Sequence, residues 1–138
     1  MTETLTVRQA SRELAEDHRR LHGLLDRVGV AADLRATADA LAELHAALTR
    51  HFTEEERPGG LYDALGVCVP EFRSRLAALV DEHFRLAAFV RDLRERARGT
   101  DVHPRDEPRA EMARLVAALA DHERREHELV EAALGREA

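Results

Sequence analysis

Hydrophobic residues recur every three or four positions along four stretches of the chain, with charged and polar residues between them. This spacing places the apolar side chains of each stretch on one face, and it therefore predicts four amphipathic helices. The predicted helices run from about Val7 to Ala31, from about Leu34 to Arg57, from about Pro70 to Gly99, and from after Pro108 to about Leu134.

The segments between these helices are short. Pro58-Gly59-Gly60 ends the second helix, and a polar stretch over residues 99–108 joins the third helix to the fourth. No connection is long enough to divide domains, and 138 residues suffice for one sizeable core. We therefore predict one all-α domain over residues 1–138, an antiparallel up-down-up-down four-helix bundle.

Composition and charge exclude several classes of partner. Ala, Leu, Arg and Glu dominate and aromatic residues make up 4% of the chain, which favours helix over strand. The net charge of -6 gives no electrostatic reason to bind nucleic acid or an anionic membrane surface. No apolar run reaches the ~20 residues that span a bilayer, and no signal pattern opens the chain, so we expect a cytoplasmic protein. Cys68, the only cysteine, is expected to be a small apolar filler in a connection rather than a reactive thiol.

A histidine motif occurs twice in the same order. The first half of the chain carries the lone His18 and then the pair His51-x-x-x-Glu55, and the second half carries the lone His83 and then the pair His122-x-x-x-Glu126. Two such halves supply four imidazoles and two carboxylates, a set that suits two metal ions shared between helices.

Helical spacing predicts that these six side chains face the core. His51 follows Leu48 by three residues and precedes Glu55 by four, so the three lie on one face, and the other motif residues are placed in the same way. One inward histidine alone would be better explained as a core imidazole bonded to a backbone carbonyl. Six buried polar groups without partners would be very costly, and a shared metal site satisfies them together.

The other histidines are not predicted to be ligands. His45 precedes His51 by six residues, which is about 120° around the helix, and His127 is displaced by about 140° from His122. Both are expected to face solvent or a helix neighbour. His103 lies in the polar stretch before the fourth helix and is expected to belong to that loop.

Mixed imidazole and carboxylate ligands favour iron, with zinc and manganese as alternatives, and the lack of thiolate ligands argues against a cysteine-type zinc site. In each His-x-x-x-Glu pair the nitrogen can bind one metal while the carboxylate one turn away reaches both. The two pairs together therefore predict a centre with two bridging carboxylates.

The order and spacing of these motifs resemble the hemerythrin-like, or HHE cation-binding, domains over nearly the whole chain. The resemblance implies a four-helix bundle with two non-haem iron ions joined by an oxo or hydroxo bridge. It also implies that the matching histidines, His18, His51, His83 and His122, are terminal ligands and that Glu55 and Glu126 are bridges.

The chain departs from the oxygen-carrying members of that family at two positions. Those members have His-x-x-x-His on the third helix, where this chain has His83 followed four residues later by Ala87, and an Asp where this chain has Glu126. Glu126 should preserve the bridge, whereas Ala87 removes a terminal nitrogen. His22 follows His18 by four residues and would replace that nitrogen from the opposite helix; the alternative is that His22 packs nearby without binding iron.

Tyr62, the only tyrosine, is a second candidate ligand because it follows Glu55 by seven residues. The Pro58-Gly59-Gly60 segment interrupts that register, so a tyrosine packed over the end of the bundle is the favoured interpretation.

An open iron position inside an apolar bundle would bind dioxygen, nitric oxide or peroxide, since Leu48, Leu86 and Leu119 would exclude bulk water. We therefore predict a protein that binds, stores or senses such a ligand. The alternatives are an enzyme that decomposes peroxide or reduces nitric oxide, and a bundle that buffers iron or uses metal structurally. The sequence shows no acid-base pair for a larger organic substrate, and we favour the binding role over the enzyme. The identity of any protein partner stays open.

Overall fold

The computed structural model describes residues 6–31, 33–98 and 106–137. The helices in these ranges are α1 Val7–Gly29, α2 Leu34–Glu56, α3 Leu61–Cys68, a 3-10 turn Pro70–Phe72, α4 Arg73–Arg98 and α5 Asp106–Glu137. Among the described residues there is no β-strand. Four long helices thus confirm the all-α prediction, and α3 is an additional short helix.

The first two helices begin at polar caps. Thr6 forms a capping box with Gln9, in which the Thr6 hydroxyl accepts from the Gln9 backbone N–H and the Gln9 side chain accepts from the Thr6 backbone N–H. Asp33 caps α2 by accepting a hydrogen bond from the backbone N–H of Ala36 at 2.7 Å. These caps satisfy N–H groups that the first turn leaves without helical partners.

Contacts between neighbouring helices give their directions. As residue numbers rise along α1 they fall along α2, since Asp17 contacts His51 and Arg27 contacts Glu43. The same relation holds for α1 with α5 and for α4 with α5, in the pairs His18–Glu126, His22–Glu123, Glu82–His122 and Arg96–Glu111. Helix α4 is therefore parallel to α1 and antiparallel to α2, which confirms the up-down-up-down bundle.

Two predicted boundaries are wrong. The connection predicted to contain Cys68 is largely the helix α3, whose Leu61, Ala64 and Leu65 are buried, and Pro70 opens a 3-10 turn before α4 begins at Arg73. Eight residues are too few for apolar spacing to reveal a helix. Helix α5 begins at Asp106, so Pro108 lies in its first turn, where the missing N–H costs no helical hydrogen bond.

The core consists of two apolar clusters separated by a polar layer. Along α1, α4 and α5 the last core residue of one cluster and the first of the other flank predicted ligands: Leu14 and Leu21 around His18, Leu79 and Leu86 around His83, and Leu119 and Leu129 around His122 and Glu126. On α2, Glu55 follows Phe52 of one cluster, and Leu61 of the other cluster opens α3. Cys68 packs half-buried against the cluster that contains α3. The predicted ligands therefore share one level of the bundle.

Within the described ranges, no helix combines the length and the apolar character that crossing a membrane requires.

Candidate metal centre

All six predicted ligands lie at the polar layer, and five are buried. The exposed fractions are 5% for His51, 3% for Glu55, 3% for His83, 1% for His122 and 0% for Glu126. His18 is the exception, since 17% of its side chain is exposed. The layer therefore meets solvent on the α1 side, next to His18.

Their ligand atoms form two overlapping groups. Site A consists of His18, His51, Glu55 and Glu126, and site B consists of Glu55, His83, His122 and Glu126. Within each site the ligand atoms all lie within 4.8 Å of one another. Both carboxylates belong to both sites, as bridging ligands of a two-metal centre would.

The carboxylates reach the imidazoles of both sites. Glu55 directs Oε2 toward His51 Nε2 at 3.4 Å and Oε1 toward His83 Nε2 at 3.3 Å. Glu126 Oε1 lies 3.5 Å from His18 Nε2 and 3.5 Å from His122 Nε2. Each carboxylate thus stands between one imidazole of site A and one of site B.

Buried atoms without hydrogen-bond partners converge on the centre. They are His18 Nε2, both carboxylate oxygens of Glu55, His122 Nε2 and Glu126 Oε1. A buried polar atom without a partner costs on the order of 1–3 kcal/mol, and native proteins leave few of them. Five such atoms facing one another fit bound cations, which would satisfy all of them at once.

The two carboxyls hold unequal charge when no metal balances them. Burial and the charge of Glu126 raise the pKa of Glu55 well above its ordinary value of 4.5. The pKa of Glu126 falls well below 4.5, because the Glu55 carboxyl and the His122 and His18 imidazoles outweigh the effect of burial. The metal-free pair therefore retains a proton on Glu55, which a bound cation would displace.

A further carboxylate faces the outer nitrogen of three of the four imidazoles. We call Asp17, Glu56 and Glu82 the outer carboxylates. They accept hydrogen bonds from the Nδ1–H groups of His51 at 3.0 Å, of His83 at 2.7 Å and of His122 at 2.6 Å, respectively. Such a bond fixes the tautomer, so that Nε2 presents its lone pair to the centre.

Burial keeps two of these imidazoles neutral. It lowers the pKa of His51 and the pKa of His83 below the ordinary value of 6.5, despite the opposing hydrogen bonds to Asp17 and Glu56. The His83 ring also stacks on Phe52, with the ring centroids 3.9 Å apart and the planes within 4° of parallel. His51 and His83 are therefore neutral, oriented nitrogen donors, as metal binding requires.

Tyr62 reaches site B from α3. Its Oη donates a hydrogen bond to Glu126 Oε2 at 2.6 Å and lies 2.9 Å from His83 Nε2. The side chain is 7% exposed, and burial together with the charge of Glu126 raises its pKa. Tyr62 is therefore more than a ring packed over the bundle end, because its oxygen lies against two predicted ligands.

The remaining histidines differ in their placement. His22 lies beside the centre but outside both sites, where its Nε2 donates to Glu123 Oε2 at 2.8 Å and its side chain is 57% exposed. Coordination of iron by His22 stays a prediction. His45 is half-buried and outside both sites, and His127 is exposed next to Glu131. His103 lies outside the described residues.

The outer carboxylates are site residues that spacing along the sequence did not identify. Each contacts a histidine on another helix, so helical periodicity within one segment cannot pair them. One signal was available: Asp17 immediately precedes His18, and Glu82 immediately precedes His83, at equivalent positions of the two halves. This repeat of an acidic residue beside each lone histidine marks two of the three.

Comparison with known proteins supports the motif. The family model described as the hemerythrin HHE cation binding domain matches residues 9–134, nearly the whole chain. No curated protein and no solved structure matched the chain. The matched range contains all six residues of sites A and B.

Proposed function

The chain belongs to the hemerythrin HHE cation-binding domain family, and from this premise we propose that it is a non-haem di-iron protein that binds, stores or senses a small ligand. Dioxygen, nitric oxide and peroxide are the ligand class. The observation that carries this proposal is the set of five buried, unpartnered ligand atoms that face one another between the two apolar clusters.

The residues divide into terminal and bridging donors. His18 and His51 would hold a metal at site A, His83 and His122 would hold one at site B, and the two shared carboxylates would bridge them. Imidazole and carboxylate donors fit iron, and zinc or manganese would be accepted by the same set. When bound, iron would supply an exchangeable coordination position and a change of oxidation state.

Tyr62 makes the two sites unequal in donor number. Its oxygen lies 2.9 Å from His83 Nε2 of site B, whereas the site A ligand that it contacts is the shared Glu126, through Oε2 at 2.6 Å. We propose that Tyr62 adds an oxygen donor at site B. A small ligand would then enter at site A, where His18 is the ligand residue that solvent reaches.

The apolar clusters support small ligands rather than large substrates. Leu48, Leu86 and Leu119 are at most 3% exposed and pack together on one side of the polar layer. Closely packed leucine side chains exclude water from the centre and favour uncharged diatomic molecules. These residues offer no polar groups to orient an organic substrate.

The test is metal analysis of the purified protein with visible spectra of the reduced protein before and after exposure to air. Two irons per chain and a reversible spectral change would support the proposal. Sustained turnover of peroxide or nitric oxide would replace the carrier or sensor function with an enzymatic one. Bound iron that reacts with none of these ligands would instead indicate iron buffering.

A further inference from the structure

The outer carboxylates of His51 and His122 occupy equivalent positions in the two halves of the chain. Asp17 precedes the lone His18 of α1 and accepts from His51 Nδ1, and Glu82 precedes the lone His83 of α4 and accepts from His122 Nδ1. The exposed side-chain fractions are 33% for Asp17 and 21% for Glu82. Were the halves fully equivalent, sites A and B would receive the same influence from these groups.

A cation breaks this equivalence. Arg125 Nη2 donates to both carboxylate oxygens of Glu82, at 2.5 and 2.6 Å, while Arg125 Nε donates to Asp121 at 3.0 Å. Arg125 follows His122 by three residues. The residue three after His51 is Glu54, an acid whose side chain is 60% exposed and pairs with Arg57 at 3.0 Å.

Asp17 differs from Glu82 in its ion pairs. Among the described residues its ion-pair partner is His51, and no arginine of that part of the chain lies within 4.0 Å of it. Glu82, in contrast, has its charge balanced by Arg125, and it is held in place by a guanidinium that Asp121 orients in turn. The two equivalent carboxylates therefore differ by one cationic partner, which Glu82 shares with Asp121.

That difference acts on the metal through the imidazole. A carboxylate that accepts from Nδ1–H makes the imidazole a stronger donor, and this effect falls when another cation shares the carboxylate. A stronger donor stabilises ferric iron relative to ferrous iron. His51 would thus favour the oxidised state at site A more than His122 does at site B.

We propose that Arg125 is a positioning residue that, by fixing Glu82 and balancing its charge, raises the reduction potential of a metal at site B above the value that it would have beside Glu82 alone. This inference rests on the proposed function, because it requires iron in both sites.

The experiment is redox titration of the iron-loaded protein, followed by its visible spectrum. In Arg125→Gln the charge of Glu82 loses its arginine partner, which should favour ferric iron at site B about tenfold. For one electron this lowers the midpoint potential by about 59 mV. Arg124→Gln is the matched control, since Arg124 pairs with Asp121 and Glu128 on the exposed side of α5. It should leave both potentials unchanged.

Two further variants separate charge from structure. The double variant Arg125→Gln with Glu82→Gln removes both charges, so the potential should return toward that of the wild type even if stability does not. Glu54→Arg, at an exposed position, should bring a cation toward Asp17 and raise the potential at site A instead. This second variant keeps the test open if Arg125→Gln does not fold.

The outcomes distinguish this inference from the proposed function. A wild-type chain that binds no iron after reconstitution would overturn both. Two bound irons whose potentials are the same in Arg125→Gln and Arg124→Gln would overturn the inference alone, as would an unchanged potential in Glu54→Arg. A lowered potential that the double variant restores would support it.

Discussion

The phenol oxygen of Tyr62 lies 2.6 Å from Glu126 Oε2 and 2.9 Å from His83 Nε2, so one proton faces two acceptors. His83 already donates from Nδ1 to Glu56, which leaves Nε2 as a lone pair. The phenol proton satisfies Glu126, and the His83 lone pair faces the phenol oxygen without a proton between them. A cation bound at site B would satisfy the His83 lone pair and the phenol oxygen that now face each other.

Tyr62→Phe is therefore predicted to change the spectrum of the iron-loaded protein more than its metal content. A phenolate bound to ferric iron gives a strong visible absorption, and this absorption should disappear in the variant. The metal-free variant should lose about 1 kcal/mol of stability with the buried hydrogen bond to Glu126. Visible spectra and iron analysis of both proteins check this. A spectrum unchanged from the wild type would show that Tyr62 is a hydrogen-bond donor and not a ligand.

His51→Ala is predicted to lose metal and metal-dependent stability together. Its Nε2 is a proposed terminal donor of site A, and binding of metal to the folded state adds about 2.7 kcal/mol at a free-metal concentration 100 times Kd. His51→Ala should lose most of this metal-dependent stability. Thermal unfolding of the variant and the wild type, each with and without metal, measures the loss. His45→Ala is the control, because His45 lies on the same helix outside both sites. Equal metal content in the wild type and His51→Ala would contradict the assignment of His51 as a ligand.

Much of this arrangement was predictable because the ligands follow helical spacing. The level at which His51, His122 and Glu126 meet is fixed by leucines three residues away, Leu48, Leu119 and Leu129, which pack into the clusters on either side. Spacing reports only the face of one helix. It cannot pair Glu82 with His122 on another helix, since acidic residues on helix surfaces are common.

The helix α3 shows the other limit of sequence patterns. Pro58-Gly59-Gly60 correctly marks the end of α2, but the direction in which the chain leaves the turn depends on backbone packing. The structure returns the chain across the bundle end and brings Tyr62 onto site B. From the sequence, the position of this tyrosine could be inferred only from its spacing of seven residues after Glu55. The turn interrupts the helical register on which that inference depends.

The stability of the metal-free protein is predicted to depend on the proton held by Glu55. Burial and the charge of Glu126 raise the pKa of Glu55 in the folded chain, so the folded state binds this proton more tightly than the unfolded state. Its contribution is present at low pH and is lost as pH rises through the raised pKa, by up to about 1.4 kcal/mol per pH unit. Denaturant unfolding of chelator-treated protein, from about pH 5 to about pH 8, measures this dependence.

Glu55→Gln isolates that contribution. His51 and His83 have lowered pKa values and act in the opposite direction, since their contribution is lost as pH falls below 6.5. They are present in both proteins, so the difference between the wild type and Glu55→Gln reports Glu55. The stability of the variant should fall less with rising pH. Parallel curves for the two metal-free proteins would show that Glu55 does not hold the proton.

The turn before α3 supplies the last prediction, because it positions Tyr62. Gly59 has a φ of 78°, and a Cβ on Gly60 would lie 2.6 Å from the backbone oxygen of Glu54. Gly60→Ala must therefore shift the backbone between α2 and α3, with a predicted loss of about 1–3 kcal/mol. Gly66→Ala, within α3, meets only Leu76 at 3.7 Å and should be neutral or stabilising by up to about 1 kcal/mol.

Thermal unfolding measures the stability of both variants. If the turn sets the position of the phenol, the Tyr62 absorption in the visible spectrum of iron-loaded Gly60→Ala should weaken. Equal stabilities for the two variants would show that the turn tolerates a side chain.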